Sequence, residues 1–129
     1  MGLADAKVSP AIPVSDMVRA KEFYEGTLGL TGGADTGDGG HDYPCGDGSE
    51  LHVFPSPEGA GGSASTIAAF QVNDVEATVE ELIANGASFE QYGEPLNTDE
   101  RGIATTGDTK TAWIKDPDGN LLAIFQAST

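Results

Sequence analysis

A chain of 129 residues with 21 acidic and 6 Lys or Arg side chains, and so a formal charge of −15, suits a single domain over residues 1–129 with a modest core. The acidic excess argues against nucleic-acid phosphates and anionic membrane surfaces as partners, and no apolar run approaches the roughly 20 residues that span a bilayer. Residues 1–7 lack the apolar core of a signal peptide, and the lone Cys45 excludes an internal disulfide, so a cytoplasmic location is expected.

In chain order, residues 8–14 read as a strand leading into a helix from about Asp16 to Leu28, with Ser15 or Asp16 able to accept the free N–H groups of its first turn. Met17, Ala20, Phe23 or Tyr24, and Leu28 supply the buried stripe, and Gly29 ends the helix where a left-handed backbone is needed. A glycine-rich stretch over residues 31–40 follows. Residues 43–45 and 50–54 then read as a hairpin around Gly46-Asp47-Gly48-Ser49, with Pro44 implying an edge strand or bulge.

Residues 56–65 are rich in Pro, Gly and Ser and form a linker. After it, residues 67–72 predict a strand. Asn73 and Glu76 have the spacing of a capping box for a helix whose inner face is Val75, Val79, Leu82 and Ile83 and which stops at Gly86. Residues 87–92 predict another strand and residues 93–107 a long loop. Residues 111–115 and 121–125 form a final hairpin turning through Asp116-Pro117-Asp118-Gly119-Asn120.

The chain thus says nearly the same thing twice. Ile12-Pro13-Val14-Ser15-Asp16-Met17 is answered by Phe70-Gln71-Val72-Asn73-Asp74-Val75 at an offset of 58 residues, each a strand, a polar cap and a helix closed by glycine. The order is βαβββ twice, with modules at residues 8–55 and 66–126. Each module is too small to be very stable alone, so the two must share a core.

Val14-Ser15-Asp16, Phe23-Tyr24 followed by Leu28-Gly29-Leu30, Val72-Asn73-Asp74-Val75, and above all Asp116-Pro117-Asp118-Gly119-Asn120 before an apolar strand together resemble the vicinal oxygen chelate superfamily, the group of glyoxalase I, bleomycin-resistance proteins and extradiol dioxygenases. The resemblance runs from about Val8 to Gln126. It implies an α+β fold in which two βαβββ modules form a curled mixed sheet around a cavity, usually in a homodimer.

The resemblance also implies where metal-dependent members carry His, Gln or Glu ligands. On the first strands these positions are Ser9 and Ile67, each seven residues before Asp16 or Asp74; on the last strands they are His52 and Ala123. Of the four, only His52 is ligand-like, and a divalent cation usually needs three or four protein ligands. No metal and no other cofactor are therefore expected. His41 with Cys45 makes a poor metal pair because Gly39-Gly40 reads as loop, and Asp116 with Asp118 lacks the further carboxylates of a calcium loop.

Other chemistry finds little support. Nothing beside Cys45 lowers its pKa, and no phosphate-binding glycine motif is present. His52 shares a strand face with Glu50 and Phe54, and the same alternation lines up Ser9, Ala11 and Pro13, then Ile67, Ala69 and Gln71, then Leu121, Ala123 and Phe125. The candidate ligand-binding set is Ser9, His52, Phe54, Ile67, Ala69, Gln71, Trp113, Leu121 and Ala123, with His52 also the one candidate base. Trp113 either stacks on a ligand or packs under the helices.

Two functions are compatible with these residues. One is a metal-independent protein of bleomycin-resistance type that sequesters an aromatic or cationic small molecule, for which an acidic cleft is suited. The other is a lyase or isomerase of glyoxalase type, or a dioxygenase-related enzyme, with a non-standard site built on His52. The acidity has a plainer reading too, as a solubilising surface or an adaptation to high salt.

Overall fold

A computed structural model describes residues 2–126. The elements are β1 (Ala11–Val14), α1 (Met17–Lys21) running on into a π-helical segment (Glu22–Thr27), β2 (Ala34–Asp35), β3 (His41–Pro44), β4 (Glu50–Pro55), β5 (Thr66–Gln71), α2 (Val75–Ala84), β6 (Ile103–Thr106), β7 (Thr109–Lys115) and β8 (Leu121–Gln126). They form two four-stranded mixed sheets of matching order, β1-β4-β3-β2 and β5-β8-β7-β6. In each, the first strand runs parallel to the last and the remaining pairs are antiparallel. The sheets curl without closing into a barrel.

Alternation along the strands sorts the side chains into two faces. Ile12 and Val14 of β1, Leu51 and Val53 of β4, Ala112 and Ile114 of β7, and Leu122 and Ile124 of β8 all turn to the core that the helices cover, with Ala20, Tyr24, Val75, Val79 and Leu82. These residues form one cluster, so the modules share a core. β8 is buried on both faces, because Leu121 and Ala123 are covered as well as Leu122 and Ile124.

The helix ends depend on particular side chains. Asp16 caps α1, accepting from the N–H groups of Val18 and Arg19, and Gly29 after the π-helical segment takes φ +79°. α2 is capped by Asp74, which accepts from Ala77 N–H at 3.0 Å, and not by Asn73. The expected capping box fails because Glu76 turns away to Arg101 and Lys110.

Several expected boundaries shift. The first strand starts at Ala11, leaving Ser9 in extended chain outside it. His41 lies in β3, not in a loop. Residues 87–92 contribute only a single bridge, from Phe89 to Ile114, and the third partner strand of the second sheet is β6, inside the expected loop. Ile83 is 43 % exposed, so the inner stripe of α2 is Val75, Val79 and Leu82.

The two modules are joined by the turn at residues 116–120. Asp116 is buried and accepts hydrogen bonds from Tyr24 Oη at 2.8 Å, Asn120 Nδ2 at 2.8 Å, and the N–H groups of Asp118 and Asn120. Asn120 donates through Nδ2 to Pro13 O and accepts from Gly61 N–H. Asp118 accepts from Ser15 N–H and Oγ, and Arg19 donates to Pro117 O. A motif expected as a turn is thus also the clasp between modules.

Candidate functional site

The faces turned away from the helices carry the candidate residues. On the first sheet, strand register sets Ala11, His52 and Asp42 in one row and Pro13 beside Phe54. His52 stacks on Phe54 with ring centroids 5.4 Å apart and planes 8° apart. Its Nδ1 lies 2.6 Å from Asp42 Oδ1 and its Nε2 2.9 Å from Asp38 Oδ2. Asp38 is itself held by Thr36 Oγ1 and by Gly40 N–H.

Neither carboxylate is among the candidate residues named from the sequence. A signal for Asp42 was present. A hairpin centred on residue 47 places positions five before and five after it opposite each other, which pairs Asp42 with His52. Asp38 comes from the loop before β3, and its approach to His52 follows from the Gly39 and Gly40 backbone, which no strand pattern describes.

On the second sheet, the register aligns Trp113, Ala123 and Ala69 across β7, β8 and β5, with Thr111, Phe125 and Gln71 in the next row. Trp113 lies on the strand face opposite the core residues Ala112 and Ile114, and Tyr92 meets its ring edge-on at 5.4 Å. Trp113 therefore does not pack under the helices. Ala69 and Gln71 are exposed on this face, whereas Leu121 and Ala123 are covered. Ile67 sits at a register irregularity between Thr66 and Ala68 and packs, half-buried, against the core cluster. Ser9 is exposed, next to Pro10, whose carbonyl accepts from His52 N–H.

The family's metal does not fit these residues. Ser9, Ile67 and Ala123 supply no ligand set, and the two carboxylates near His52 occupy opposite nitrogens of its ring, so the three groups point apart instead of converging on one point. Among the described residues no three His, Cys, Asp or Glu side chains gather around a common centre. His41 is engaged elsewhere, between Asp35 Oδ1 and Gly32 O. Burial pushes the half-buried Cys45 thiol pKa up, which disfavours a nucleophilic role.

The electrostatics of His52 follow from this bracket. Partial burial of the ring opposes its charge, but the hydrogen bonds to Asp38 and Asp42 outweigh it and raise the imidazole pKa above 6.5. The hydrogen bond from Thr36, then those from Gly40 N–H and His52, hold the Asp38 carboxyl at about 2. Because the folded pKa of His52 is raised, its stabilising contribution is fully present below pH 6.5 and is lost as pH rises through the folded value. Asp38 contributes above pH 3.8 and loses its contribution as pH falls toward about 2. An NMR titration is expected to show the His52 midpoint falling toward 6.5 in Asp42→Asn. An unchanged midpoint would show that Asp42 does not hold the ring.

Known proteins match this architecture. The family model described as Glyoxalase/Bleomycin resistance protein/Dioxygenase superfamily matches residues 8–124. A glyoxalase family protein from Bacillus anthracis has a TM-score of 0.75 at 18 % identity, with 99 % of each chain covered. TnmS3, an antibiotic binding protein from Streptomyces sp. CB03234, has a TM-score of 0.69 at 23 % identity over 99 % of each chain. A glyoxalase/bleomycin resistance protein/dioxygenase from Alicyclobacillus acidocaldarius has a TM-score of 0.72 at 18 % identity, covering 100 % of this chain and 96 % of that one. No curated protein matches the sequence. Identities this low carry the fold alone, but the family model spans both sheets and the clasp between them, and the chain belongs to the glyoxalase/bleomycin resistance protein/dioxygenase superfamily.

Proposed function

We propose that this protein is a metal-independent small-molecule-binding protein of the bleomycin-resistance type, acting by sequestration of an aromatic or cationic compound such as an antibiotic. The observation that carries the reading is the row Trp113, Ala123, Ala69 on the face where metal-dependent relatives place ligands. It presents an aromatic ring beside small side chains in place of donor atoms, a surface on which a planar ligand can stack. His52, Ser9 and Gln71 are the polar groups that orient the ligand, with Phe54 bordering it. The resemblance to an antibiotic-binding structure supports the same class.

A thermal-shift screen of aromatic antibiotics, followed by calorimetry, tests this. A ligand at 100 times its Kd should stabilise the fold by about 2.7 kcal/mol. Trp113→Ala should weaken it by about tenfold or more through lost stacking, and Ala69→Phe, at the exposed end of the same row, should block it. A panel without any binder, or a binder indifferent to both substitutions, would sink the reading. We also read the protein as a homodimer, since the edges of both sheets call for cover; light scattering should then give about twice the chain mass of 13.2 kDa, and the monomer mass would refute it.

The enzyme reading has one observation in its favour, the Asp42–His52 pair, which is how a carboxylate orients a general base. Asp38 stands at the other ring nitrogen, so His52 must first lose that contact before it can accept a substrate proton. Recovery of a screening hit chemically changed, with turnover abolished in His52→Ala, would replace the binding reading by the enzymatic one. No described helix is long and apolar enough to cross a membrane.

A further inference from the structure

The repeat allows one half of the module junction to be compared with the other. The offset of 58 residues pairs Tyr24 with Leu82, Ser15 with Asn73 and Pro13 with Gln71, and the equal hairpin turns at residues 45–49 and 116–120 pair Cys45 with Asp116, Asp47 with Asp118 and Ser49 with Asn120. On one side Tyr24, Ser15 and Pro13 are joined to the turn at residues 116–120 by hydrogen bonds. On the other side the central pair, Tyr24 with Asp116, is replaced by Leu82 with Cys45, and Asn120 by Ser49, while Asp47 keeps the carboxylate of Asp118 without a bond to Asn73. Leu82 cannot bond Cys45, Ser49 is too short to copy Asn120, and no hydrogen bond links these pairs among the described residues.

Where the clasp is missing, a cleft of about 590 Å³ opens between β4 and β5, with Asp47, Ser49, Glu50, Gln71 and Asn73 on its wall. That volume is within the range of small-molecule sites. Leu30, Phe70 and Val72 form its apolar side and separate it from a second cavity of about 240 Å³ that reaches Leu82 and Ile124. The carboxylates of Asp47 and Glu50 have no hydrogen bond or cationic partner among the described residues, in contrast to Asp118, which takes both donors of Ser15. The cleft thus combines an apolar floor, ligand-sized volume and two uncompensated negative charges in a chain that is acidic throughout.

We propose that this cleft is a second binding site, one that takes an organic cation with a flat aromatic body, the charged group held by Asp47 and Glu50 and the body lying on Leu30, Phe70 and Val72. The site goes beyond the Trp113 face: only Ala69 and Gln71 border both, and its occupancy does not depend on sequestration there. Charge-assisted contacts supply the specificity for a cation.

Proflavine, a planar aromatic cation, and acridine, its uncharged parent, are suitable probes by fluorescence titration at neutral pH. Proflavine should bind saturably, more tightly than acridine, and the double substitution Asp47→Asn with Glu50→Gln should weaken it by about tenfold or more. Removing the same charge at distant exposed positions, Glu58→Gln with Asp108→Asn, should leave the affinity close to that of the parent protein. Trp113→Ala should also leave it unchanged, which separates this site from the one under Proposed function. Failure of proflavine to bind, equal binding of acridine, or equal weakening by the distant pair would overturn the proposal. So would a double variant that binds proflavine normally but loses its dimeric mass, since the cleft would then be covered by a second copy.

Discussion

Asp116→Ala is expected to destabilise the protein by about 3–5 kcal/mol, because removing one partner of a buried charged network leaves the others unpaired. The Asp116 side chain accepts from Tyr24 Oη, from Asn120 Nδ2 and from the Asp118 and Asn120 N–H groups, and only 5 % of the residue is exposed. Alanine leaves the phenol and the turn amides facing each other without an acceptor. Tyr24→Phe removes a single donor from the same centre and should cost only about 1–2 kcal/mol. Urea unfolding would measure both; an Asp116→Ala loss below about 1 kcal/mol, within the range of ordinary surface changes, would show that the clasp contributes little. The Tyr24 pKa is strongly raised, by burial first and then by Asp116, so the phenol stays a donor throughout the accessible pH range.

Gly40→Ala is expected to cost about 2–3 kcal/mol, at the upper end of what overpacking does, and to disturb the candidate site as well. A Cβ on Gly40 would lie 2.2 Å from Val53 O and 2.9 Å from Phe54 Cα. Both are backbone atoms of β4, so β3 and β4 must separate for the methyl group to fit. The same shift moves Gly40 N–H off Asp38 and slackens the contact between Asp38 and His52. Thermal melting should therefore fall together with the His52 titration midpoint. A variant as stable as the parent, with an unmoved midpoint, would mean that the strands tolerate the added carbon and that Gly40 does not position Asp38.

Much of the fold could be read from the residues because the signals were periodic. The stripes Met17, Ala20, Tyr24 and Val75, Val79, Leu82, the alternation in β4, β7 and β8, and the turn at residues 116–120 are each fixed by local geometry. β2 and β6 were invisible for a physical reason: Ala34–Asp35 is too short to alternate, and Ile103–Thr106 is a short run between Gly102 and Gly107 that becomes a strand only through its pairing with β7. The cap of α2 was misplaced because Glu76 answers to Arg101 and Lys110, cations far along the chain.

The site was less legible than the fold. Alternation identified which face His52, Phe54, Ala69, Gln71 and Ala123 share, but not the bracket of Asp42 and Asp38, which depends on cross-strand register and on a glycine loop. Nor could alternation reveal that Ser9 falls outside β1 or that Ile67 turns toward the core. A one-residue irregularity in β5 is enough to change what a side chain faces.

The clasp at residues 116–120 also bears on how the chain finds its structure. Tyr24 meets Asp116 across 92 residues, Ser15 meets Asp118 across 103, and Asn120 meets Pro13 across 107. Until these segments meet, the buried hydroxyl of Tyr24 has no acceptor and the first module retains an exposed flank. Closing so large a loop costs entropy before the contacts return it, so docking of the modules is expected late in folding. Without its partner each half lacks part of the shared core and of the clasp, so the duplicated chain is expected to unfold as one cooperative unit.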